Sequence, residues 1–331
     1  MLSPAYKFTL DSKIVDTTDK PQASTLIDMI VALDMDTPAD SFTLLLGNVD
    51  GLKPVQGDKA AIELGYADNG GLKQVITGSV ESVEPGLITT RIVGYSAAYA
   101  LLRSNTDQTY EGKKAGDLVK DLAGKAKVDV ASADDGIAFP AYVIDGRRSF
   151  YQHMRDLADL SGLDLYINSD GKLVLEKFTG GKIIHVFEYG KQILELEILH
   201  TPPEAELVEA WGESPGGSKP AAAWAWLTKD FKPYLGSAGS GSSKLLVERS
   251  ALRTSKAAHI AAEAVRSRIQ EQTVRGRLLL PGQPQVRLGD AVRLAGVPDN
   301  LIGTFQVRSI THRITKVSGF TTSIGFRSIV T

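Results

Sequence analysis

The chain has 331 residues, a formal net charge of −2, 43% hydrophobic and 23% charged residues, and no cysteine. This length predicts two or three domains with a sizeable core, and the near-neutral charge provides no basic field to attract nucleic acid. The lack of cysteine excludes thiolate catalysis, disulfide frameworks, cysteine-ligated zinc and iron–sulfur clusters.

Residues 1–104 have the pattern of a β domain. Tyr6, Phe8 and Leu10 alternate with polar residues, as in a strand with one buried face. Similar short apolar runs follow at 42–46, 60–66, 74–83 and 88–95. Many short strands separated by turn residues are typical of a barrel or sandwich, so we predict a first antiparallel β-barrel.

Residues 105–180 have a mixed pattern, which predicts a small α+β domain that connects two β domains. Apolar residues at helical spacing indicate a helix within 113–127. A second helix begins after Ser149, where Gln152 completes a capping box, and it ends at Gly162. Apolar runs at 163–167 and 172–178 flank a turn at 168–171, which indicates a hairpin.

Residues 181–331 return to the β pattern and predict a second antiparallel β-barrel similar to the first. Strand-like runs lie at 183–187, 193–198, 291–294, 304–310 and 319–326. Between them, residues 213–243 are rich in glycine, serine and proline, which predicts a flexible insert. A helix is predicted at 255–273. The predicted fold class is therefore α+β and mainly β.

A weak internal repeat links the two β regions. Each region has a Gly-Asp turn, an alternating strand, a loop, and a strand that we expect to start at a glycine. The turn residues and the glycine expected to start the later strand are Gly57, Asp58 and Gly78 in the first region and Gly289, Asp290 and Gly303 in the second. Because Gly-Asp turns before strands are common, chance explains the pattern by itself as well as duplication does.

No motif in the chain marks a catalytic, metal or cofactor site. The five histidines include no pair four residues apart on a helix and no HExxH pattern. The glycines at 236 and 241 match half of a phosphate-binding loop, but Lys244 comes too late for the rest of that motif. The turn at 168–171 lacks the ligands of a calcium loop, since Tyr166 and Lys177 occupy two of their places. We predict no cofactor, no metal and no enzymatic activity, and only an unmarked Asp/Glu pair for glycoside hydrolysis stays open.

Four aromatic residues stand out in the predicted insert. They are Trp224, Trp226, Phe231 and Tyr234. Large aromatic side chains in a stretch with few aliphatic neighbours are typical of anchors that bury surface against a partner. Two interpretations stay open, a partner-contacting arm and a loop that folds back on its own domain.

Several loose motifs occur in a characteristic order. Residues 95–102 and an Ala-Gly-Asp-Leu-Val pattern in 115–123 precede a helix-like segment at 149–162 and a hairpin at 170–175. The sharpest motifs are Leu-Gly-Asp-x-Val-x-Leu at 288–294, Gly-Thr-Phe-x-Val-x-x-Ile-x-His at 303–312 and Gly-Phe-x-Thr at 319–322. Together they resemble the phage late control protein D family over most of the chain, least in residues 1–50 and in the insert.

The resemblance implies a baseplate hub of a contractile phage tail, related to the N-terminal hub part of the VgrG spike proteins. It implies two β-barrels joined by α+β elements, and a homotrimer whose six barrels surround a channel and adapt a threefold spike to a sixfold tail tube. The implied partners are the tube protein, baseplate wedge or tape-measure proteins and, because the chain stops at Thr331, a separate spike protein.

The expected location is the virion baseplate or an equivalent injection particle, after synthesis in the host cytoplasm. The N-terminus lacks a signal-peptide pattern, and no stretch approaches the ~18 apolar residues of a membrane-spanning helix. No membrane span and no nucleic-acid recognition are predicted. Two other classes remain as alternatives: a tail-associated cell-wall hydrolase, and a sugar- or peptide-binding module that only the aromatic residues favour.

Overall fold

The computed structural model describes residues 3–18, 25–47, 54–68, 70–212 and 235–329. These residues form a mainly β structure dominated by large antiparallel ladders, in agreement with the predicted class. No helix in the described ranges is both long and apolar enough to span a bilayer.

The N-terminal half of the main sheet has seven strands. They are β1 (Pro4–Leu10), β2 (Lys13–Asp16), β3 (Leu26–Asp34), β4 (Ser41–Gly47), β5 (Lys59–Tyr66), β6 (Gly71–Pro85) and β7 (Thr89–Tyr95). Buried side chains alternate with more exposed ones along β3 and β4, because successive residues of a strand point to opposite faces. The buried face includes Phe8, Met29 and Phe42.

The C-terminal half of the main sheet has six strands. They are β13 (Ile184–Glu188), β14 (Glu195–His200), β18 (Val274–Pro281), β19 (Ala291–Ala295), β20 (Gly303–Thr315) and β21 (Gly319–Ser328). Its buried side chains, such as Leu278, Val307 and Phe326, belong to the same hydrophobic core as those of the first half.

The two halves form one continuous sheet of 13 strands, whereas the sequence predicts two separate barrels. They join where β3 pairs antiparallel with β20, from Ser309 opposite Asp34 to Thr315 opposite Asp28. The pairing is possible because β20 extends beyond its other partner, β19, whose register with it ends at Gln306. The path through the described strands runs from β14 to β2 without closing on itself.

Both halves have the same strand order. The N-terminal half reads β1-β5-β6-β7-β4-β3 and the C-terminal half reads β13-β19-β20-β21-β18-β14. These orders are identical when the strands of each half are counted along the chain and β2, an extra strand on β1, is set aside. The one difference in direction is that β13 runs parallel to β19, whereas β1 runs antiparallel to β5.

A second hydrophobic core lies beside the sheet, and the elements around it are called the module. They are α1 (Ala98–Leu102), β8 (Gln108–Lys114), α2 (Ala115–Lys125), β9 (Val130–Ala133), β10 (Ala138–Ile144), α3 (Phe150–Ser161), β11 (Asp164–Ile167), β12 (Leu173–Glu176), β15 (Leu207–Trp211), β16 (Gly236–Gly239), β17 (Lys244–Glu248) and α4 (Ser255–Glu271). The sequence assigns only 105–180 to a connecting domain. The structure adds β15–β17 and α4 to it, because the buried alanines of α4 share a core with the apolar face of α3.

Helix α3 has the predicted ends. Ser149 accepts the N–H of Gln152 and donates its own N–H to the Gln152 side chain at 2.9 Å, which completes the capping box. Gly162 ends the helix with a left-handed φ of 67°. The hairpin predicted at 168–171 joins β11 to β12, and Asn168 Oδ1 accepts the N–H of Asp170 at 3.0 Å.

The end of the predicted insert is a strand. Residues 236–239 form β16, which pairs with β15 and lies against α4, although their composition predicts a flexible loop. A Cβ at Gly236 would lie 2.1 Å from the backbone carbon of Ala258 in α4. Small residues are needed for this close approach, so the composition reflects packing.

Candidate functional site

The two Gly-Asp turns make the same hydrogen bonds. Asp58 Oδ2 accepts the N–H of Val55 at 2.9 Å, and Asp290 Oδ2 accepts the N–H of Arg287 at 2.9 Å. The glycines before the aspartates have left-handed φ values, 94° at Gly57 and 81° at Gly289. Each turn therefore requires glycine followed by a buried aspartate that closes the preceding residues.

The long strand after each turn has an equivalent position and an equivalent irregularity. The N–H of Val80 donates to the Asp58 carbonyl, and that of Val307 donates to the Asp290 carbonyl, both at 2.9 Å. A β-bulge follows each valine, where the register with the next strand shifts. Val80 and Val307 therefore correspond, and so do the residues after them, Glu81 and Arg308.

A phenylalanine covers a glycine at the same place in both halves. Phe42 on β4 lies opposite Gly94 on β7, and Phe326 on β21 lies opposite Gly276 on β18. A Cβ at Gly94 would lie 2.1 Å from Phe42, and one at Gly276 would lie 2.4 Å from Phe326. The phenylalanine lies on β4 in the first half but on β21, the counterpart of β7, in the second half, and the glycine lies on the other strand in each case. The packing is therefore equivalent although the sequence is not.

The glycine predicted to start the second strand of the first region lies elsewhere. Gly78 is inside β6, which begins at Gly71, whereas Gly303 does begin β20. Its physical role is close backbone approach, since a Cβ at Gly78 would lie 2.1 Å from the carbonyl oxygen of Tyr95. By the correspondence of the valines, its counterpart is Phe305.

Arg308 is the centre of an ion cluster where the two halves meet the module. It is 3% exposed and donates to Asp164 on β11 and, at 2.8 Å, to Asp36 in the loop between β3 and β4. Asp36 also accepts from Arg327 on β21 at 2.5 Å and from Arg155 on α3 at 3.3 Å. One loop of the N-terminal half is thereby bound to strands of the C-terminal half and to a helix of the module.

The cluster continues from Asp164 into α4. Asp164 Oδ2 accepts from Gln306 at 2.6 Å, and Oδ1 accepts from Arg268 at 3.1 Å. Arg268 also lies 3.5 Å from Asp159 and 3.6 Å from Glu271. Four arginines therefore face four carboxylates, and every charge in the cluster has an opposite charge beside it.

The pKa values follow from burial and from these neighbours. Burial raises the pKa of Asp36 and of Asp164, but Arg308 and a second arginine at each site outweigh it and hold both pKa values below the usual range. Burial lowers the pKa of Arg308, and the two aspartates more than reverse this. Glu271 differs, because burial dominates and raises its pKa. The central three groups thus stay charged.

The position in the N-terminal half that corresponds to Arg308 lies in a cleft. Glu81, the counterpart of Arg308, lies on the wall of a cleft of about 1030 Å³ between this half and the module. It accepts a hydrogen bond from Tyr99 at 3.1 Å, and Arg103 lies 4.0 Å away. The cleft extends from the Gly57 turn to the hairpin at Gly171. One half is therefore covered at this position, while the other half faces solvent.

Several strand edges of the main sheet have no partner strand in the described ranges, among them β14 and the end of β6. Strand β14 pairs only with β18, and Leu199 beside this edge is 47% exposed. The end of β6 is paired with β7 on one side only, because its register with β5 stops at Ser79. Such edges are sites where another strand can add.

The four aromatic residues predicted as anchors, Trp224, Trp226, Phe231 and Tyr234, lie outside the described residues. The interpretation of this segment as a partner-contacting arm stays a prediction. His312 and His185, two of the five histidines, have hydrogen-bond partners within the fold. His312 is fully buried against Thr322 at 2.9 Å, and burial lowers its pKa to about 3. His185 lies 2.9 Å from Asp290, and no group of metal-binding side chains occurs within the described part of the chain.

Sequence reasoning missed the ion cluster. Gln306 and Arg308 are polar positions on a strand, and a strand with one solvent face has the same pattern. Asp36 and Asp164 are distant in the chain, and no local motif connects them to Arg308. The one signal for this position is that the Gly-Asp repeat, with the hydrogen bonds of its two valines, aligns Arg308 with Glu81, so equivalent positions carry opposite charges.

Comparisons with known proteins support the fold. No protein-family model matches the chain, and no curated protein matches it by sequence. Among solved structures, a 43 kDa tail protein of prophage MuSo2 from Shewanella oneidensis is 14% identical, with 97% of this chain and 98% of that chain covered and a TM-score of 0.74. A tail protein from Neisseria meningitidis is 15% identical, with 98% and 97% covered and a TM-score of 0.73.

A third similar structure is a type VI secretion component of Escherichia coli, described as structurally similar to phage T4 tail proteins. It is 8% identical, with 92% of this chain and 74% of that chain covered and a TM-score of 0.60. The chain therefore has the fold of phage tail and VgrG-like proteins, and the resemblance found in the sequence is confirmed at the level of fold.

Proposed function

We propose that this protein is a structural hub of the baseplate of a contractile phage tail or a related injection particle. Three copies join around a channel, seat a spike, and present six similar surfaces to a sixfold tail tube. The observation that carries the proposal is the repeat of one strand order in the two halves of the main sheet.

The repeat supports an adaptor for a physical reason. A ring of three identical chains has threefold symmetry, whereas a sixfold tube needs six equivalent contacts. A chain with two similar units resolves the mismatch, because three chains then offer six units. The equivalent turns, bulges and Phe–Gly pairs keep the two units similar in shape, while Glu81 and Arg308 let them differ in contacts.

The ion cluster supports a mechanical role. Its charges connect the β3–β4 loop with β11, β20, β21, α3 and α4, so the relative position of the halves and the module is fixed by paired charges as well as by apolar packing. Removing one member of a buried pair costs several kcal/mol, about 3–5, which makes the junction stiff toward separation. The proposed action is assembly and load transfer without bond-making chemistry.

The proposed partners are further copies of this chain, the tube protein, a spike protein, and wedge or tape-measure proteins. The proposed location is the tail baseplate, after synthesis in the host cytoplasm. The fold shared with tail proteins supports this assignment, and the mainly β architecture with paired halves is consistent with it.

The test is the symmetry of the assembled protein. Native mass measurement over a range of concentrations, with and without a candidate spike, should give three chains. Electron microscopy of the particle should give a threefold ring with six lobes. A stable twofold dimer with no threefold state in any assembled particle would contradict the proposal, and cell-wall degradation by the pure protein would favour a hydrolase.

A further inference from the structure

The strand overhang that joins the two halves has an equivalent in the N-terminal half, one edge of which pairs with no strand in the described ranges. Inside the chain, β20 of the C-terminal half passes its partner β19 and pairs with β3 of the N-terminal half. In the N-terminal half, β6 passes its partner β5 in the same way, after Ser79. Its last residues, 82–85, then have β7 on one side and no strand on the other within the described ranges.

The strand that corresponds to β3 is β14. Both are second in their half along the chain, and both lie at the end of the shared order. The register gives the matching residues. Phe42 on β4 and Gly276 on β18 are equivalent positions of the two Phe–Gly pairs. Val31 lies opposite Phe42, and Ile198 lies opposite Gly276. Ile198 therefore corresponds to Val31, and His200 to Leu33.

The free edge of β14 directs backbone groups outward. Thr201 donates its N–H to the Thr273 carbonyl at 2.8 Å. In an antiparallel ladder the residues that bond to one neighbour alternate, so residues 195, 197 and 199 direct their backbone N–H and C=O groups to β18. Leu196, Ile198 and His200 consequently direct their N–H and C=O groups to the other edge. This edge carries no proline and no bulge, which are common means of blocking strand addition.

We propose that β14 of one copy pairs antiparallel with the end of β6 of the next copy, repeating between chains the β3–β20 junction. The register follows from the intrachain one, in which Ile310 lies opposite Leu33 and His312 lies opposite Val31. Val83, three residues after Val80, takes the place of Ile310 and lies opposite His200. Pro85 takes the place of His312 and lies opposite Ile198. Its carbonyl accepts the Ile198 N–H, but proline has no N–H, so this pair makes one ladder hydrogen bond where the intrachain pair makes two.

The contact is head-to-tail, since the two edges differ. Such a contact builds a closed ring or an open filament, and closure at three copies rests on the proposed hub function. In the ring the intrachain and interchain junctions alternate, so the main sheets of neighbouring chains become continuous. The short β6 segment, four residues against the seven of β20 that pair with β3, makes the interchain junction the weaker one.

Disulfide trapping tests the pairing and its register, because the chain has no native cysteine. Val83→Cys with His200→Cys places two thiols on a hydrogen-bonded antiparallel pair, with Cα atoms about 5.5 Å apart, inside the range of a disulfide. We expect mild oxidation to give covalent dimers and closed trimers as the main products. A mixture of the two single variants should stop at covalent dimers.

The matched control shifts the register by one residue. Val83→Cys with Leu199→Cys uses a neighbouring exposed position, but a one-residue slip turns that side chain to the opposite face of the sheet. This control should stay mainly monomeric under the same oxidation. Circular dichroism and thermal unfolding of the reduced variants, matched to the parent protein, establish that all are folded.

The outcomes separate the pairing from the hub function. Threefold particles of the parent protein without crosslinks in the Val83–His200 variant would overturn the pairing and leave the hub intact. Equal crosslinking of the variant and its shifted control would also overturn the register. Crosslinked open chains without any threefold particle would uphold the pairing and contradict the hub.

Discussion

The two halves of the main sheet have one topology and different surroundings. In the C-terminal half, the position after the equivalent valine is Arg308, which is buried and bound to Asp164 and Asp36. In the N-terminal half it is Glu81, whose side chain is 31% exposed beside an open cleft. The same backbone is thus anchored in one half and accessible in the other, and a few charged positions decide which.

The largest expected effect is at this pair of positions. Arg308→Met should lower the free energy of unfolding by about 3–5 kcal/mol, because Asp164 and Asp36 keep their charge but lose the buried arginine that lies between them. Glu81→Gln at the equivalent position should cost less than about 1 kcal/mol, since its contacts are solvent-exposed. Urea unfolding of both variants measures the difference. Adding Asp164→Asn to Arg308→Met should recover part of the loss, because Arg268 keeps Asp159 and Glu271 as partners. Equal costs at the two positions would show that the halves are anchored alike.

A second contrast concerns Asp40, whose counterpart in the C-terminal half is Val274. Burial raises the pKa of Asp40 to about 7, well above that of an unfolded aspartate. Its contribution to stability is therefore present below about pH 4 and is lost as the pH rises through 7. Asp40→Asn keeps an acceptor for the N–H of Asp34 and removes the charge.

Between pH 5 and pH 8.5, the parent protein should lose stability relative to the Asp40→Asn variant by an amount on the order of 3 kcal/mol. Unfolding midpoints at several pH values measure it, with Asp68→Asn in an exposed turn as control. Parallel pH profiles for the parent and the Asp40→Asn variant would contradict the burial of a neutral carboxyl.

The Phe–Gly pairs test whether the halves are packed equivalently. Gly94→Ala and Gly276→Ala should each destabilise by about 1–3 kcal/mol, because the new methyl group meets Phe42 or Phe326. Gly124→Ala in α2 is the control, since nothing lies within 4 Å of a Cβ there, and it should stabilise by about 0.5–1 kcal/mol. Thermal unfolding of the three variants is sufficient. A large cost at only one of the two paired glycines would mean that the packing of the halves has diverged.

The smallest effects are expected at the turns. Asp58→Ala should cost about 1 kcal/mol through loss of the bond from the Val55 N–H. Asp290→Ala should cost more, because it also removes the 2.9 Å contact with His185. Chemical denaturation gives both values, and a greater loss at Asp58 would reverse the predicted order.

Local sequence signals predicted local structure well. The capping box at Ser149 and Gln152, the end of α3 at Gly162 and the hairpin at 168–171 depend on neighbours within a few residues, so the sequence determines them. The Gly-Asp turns are of the same kind, since the left-handed glycine and the bond from aspartate to the residue three before it are local. The resemblance to tail proteins was likewise detectable because its motifs are turns and alternating strands in a fixed order.

Long-range pairing was decided only by the tertiary structure. Whether β3 closes a barrel of its own or joins β20 depends on which of two strand edges is left unpaired, and alternation of apolar residues is the same in both cases. Composition likewise misled at 236–239, where small residues serve close packing of β16 on α4. The sequence by itself determined the turns, caps, strands and helices, because these are set by adjacent residues. The joining of the halves, the charge cluster at Arg308 and the free edges of β6 and β14 depend on residues far apart in the chain, whose meeting only the folded structure establishes.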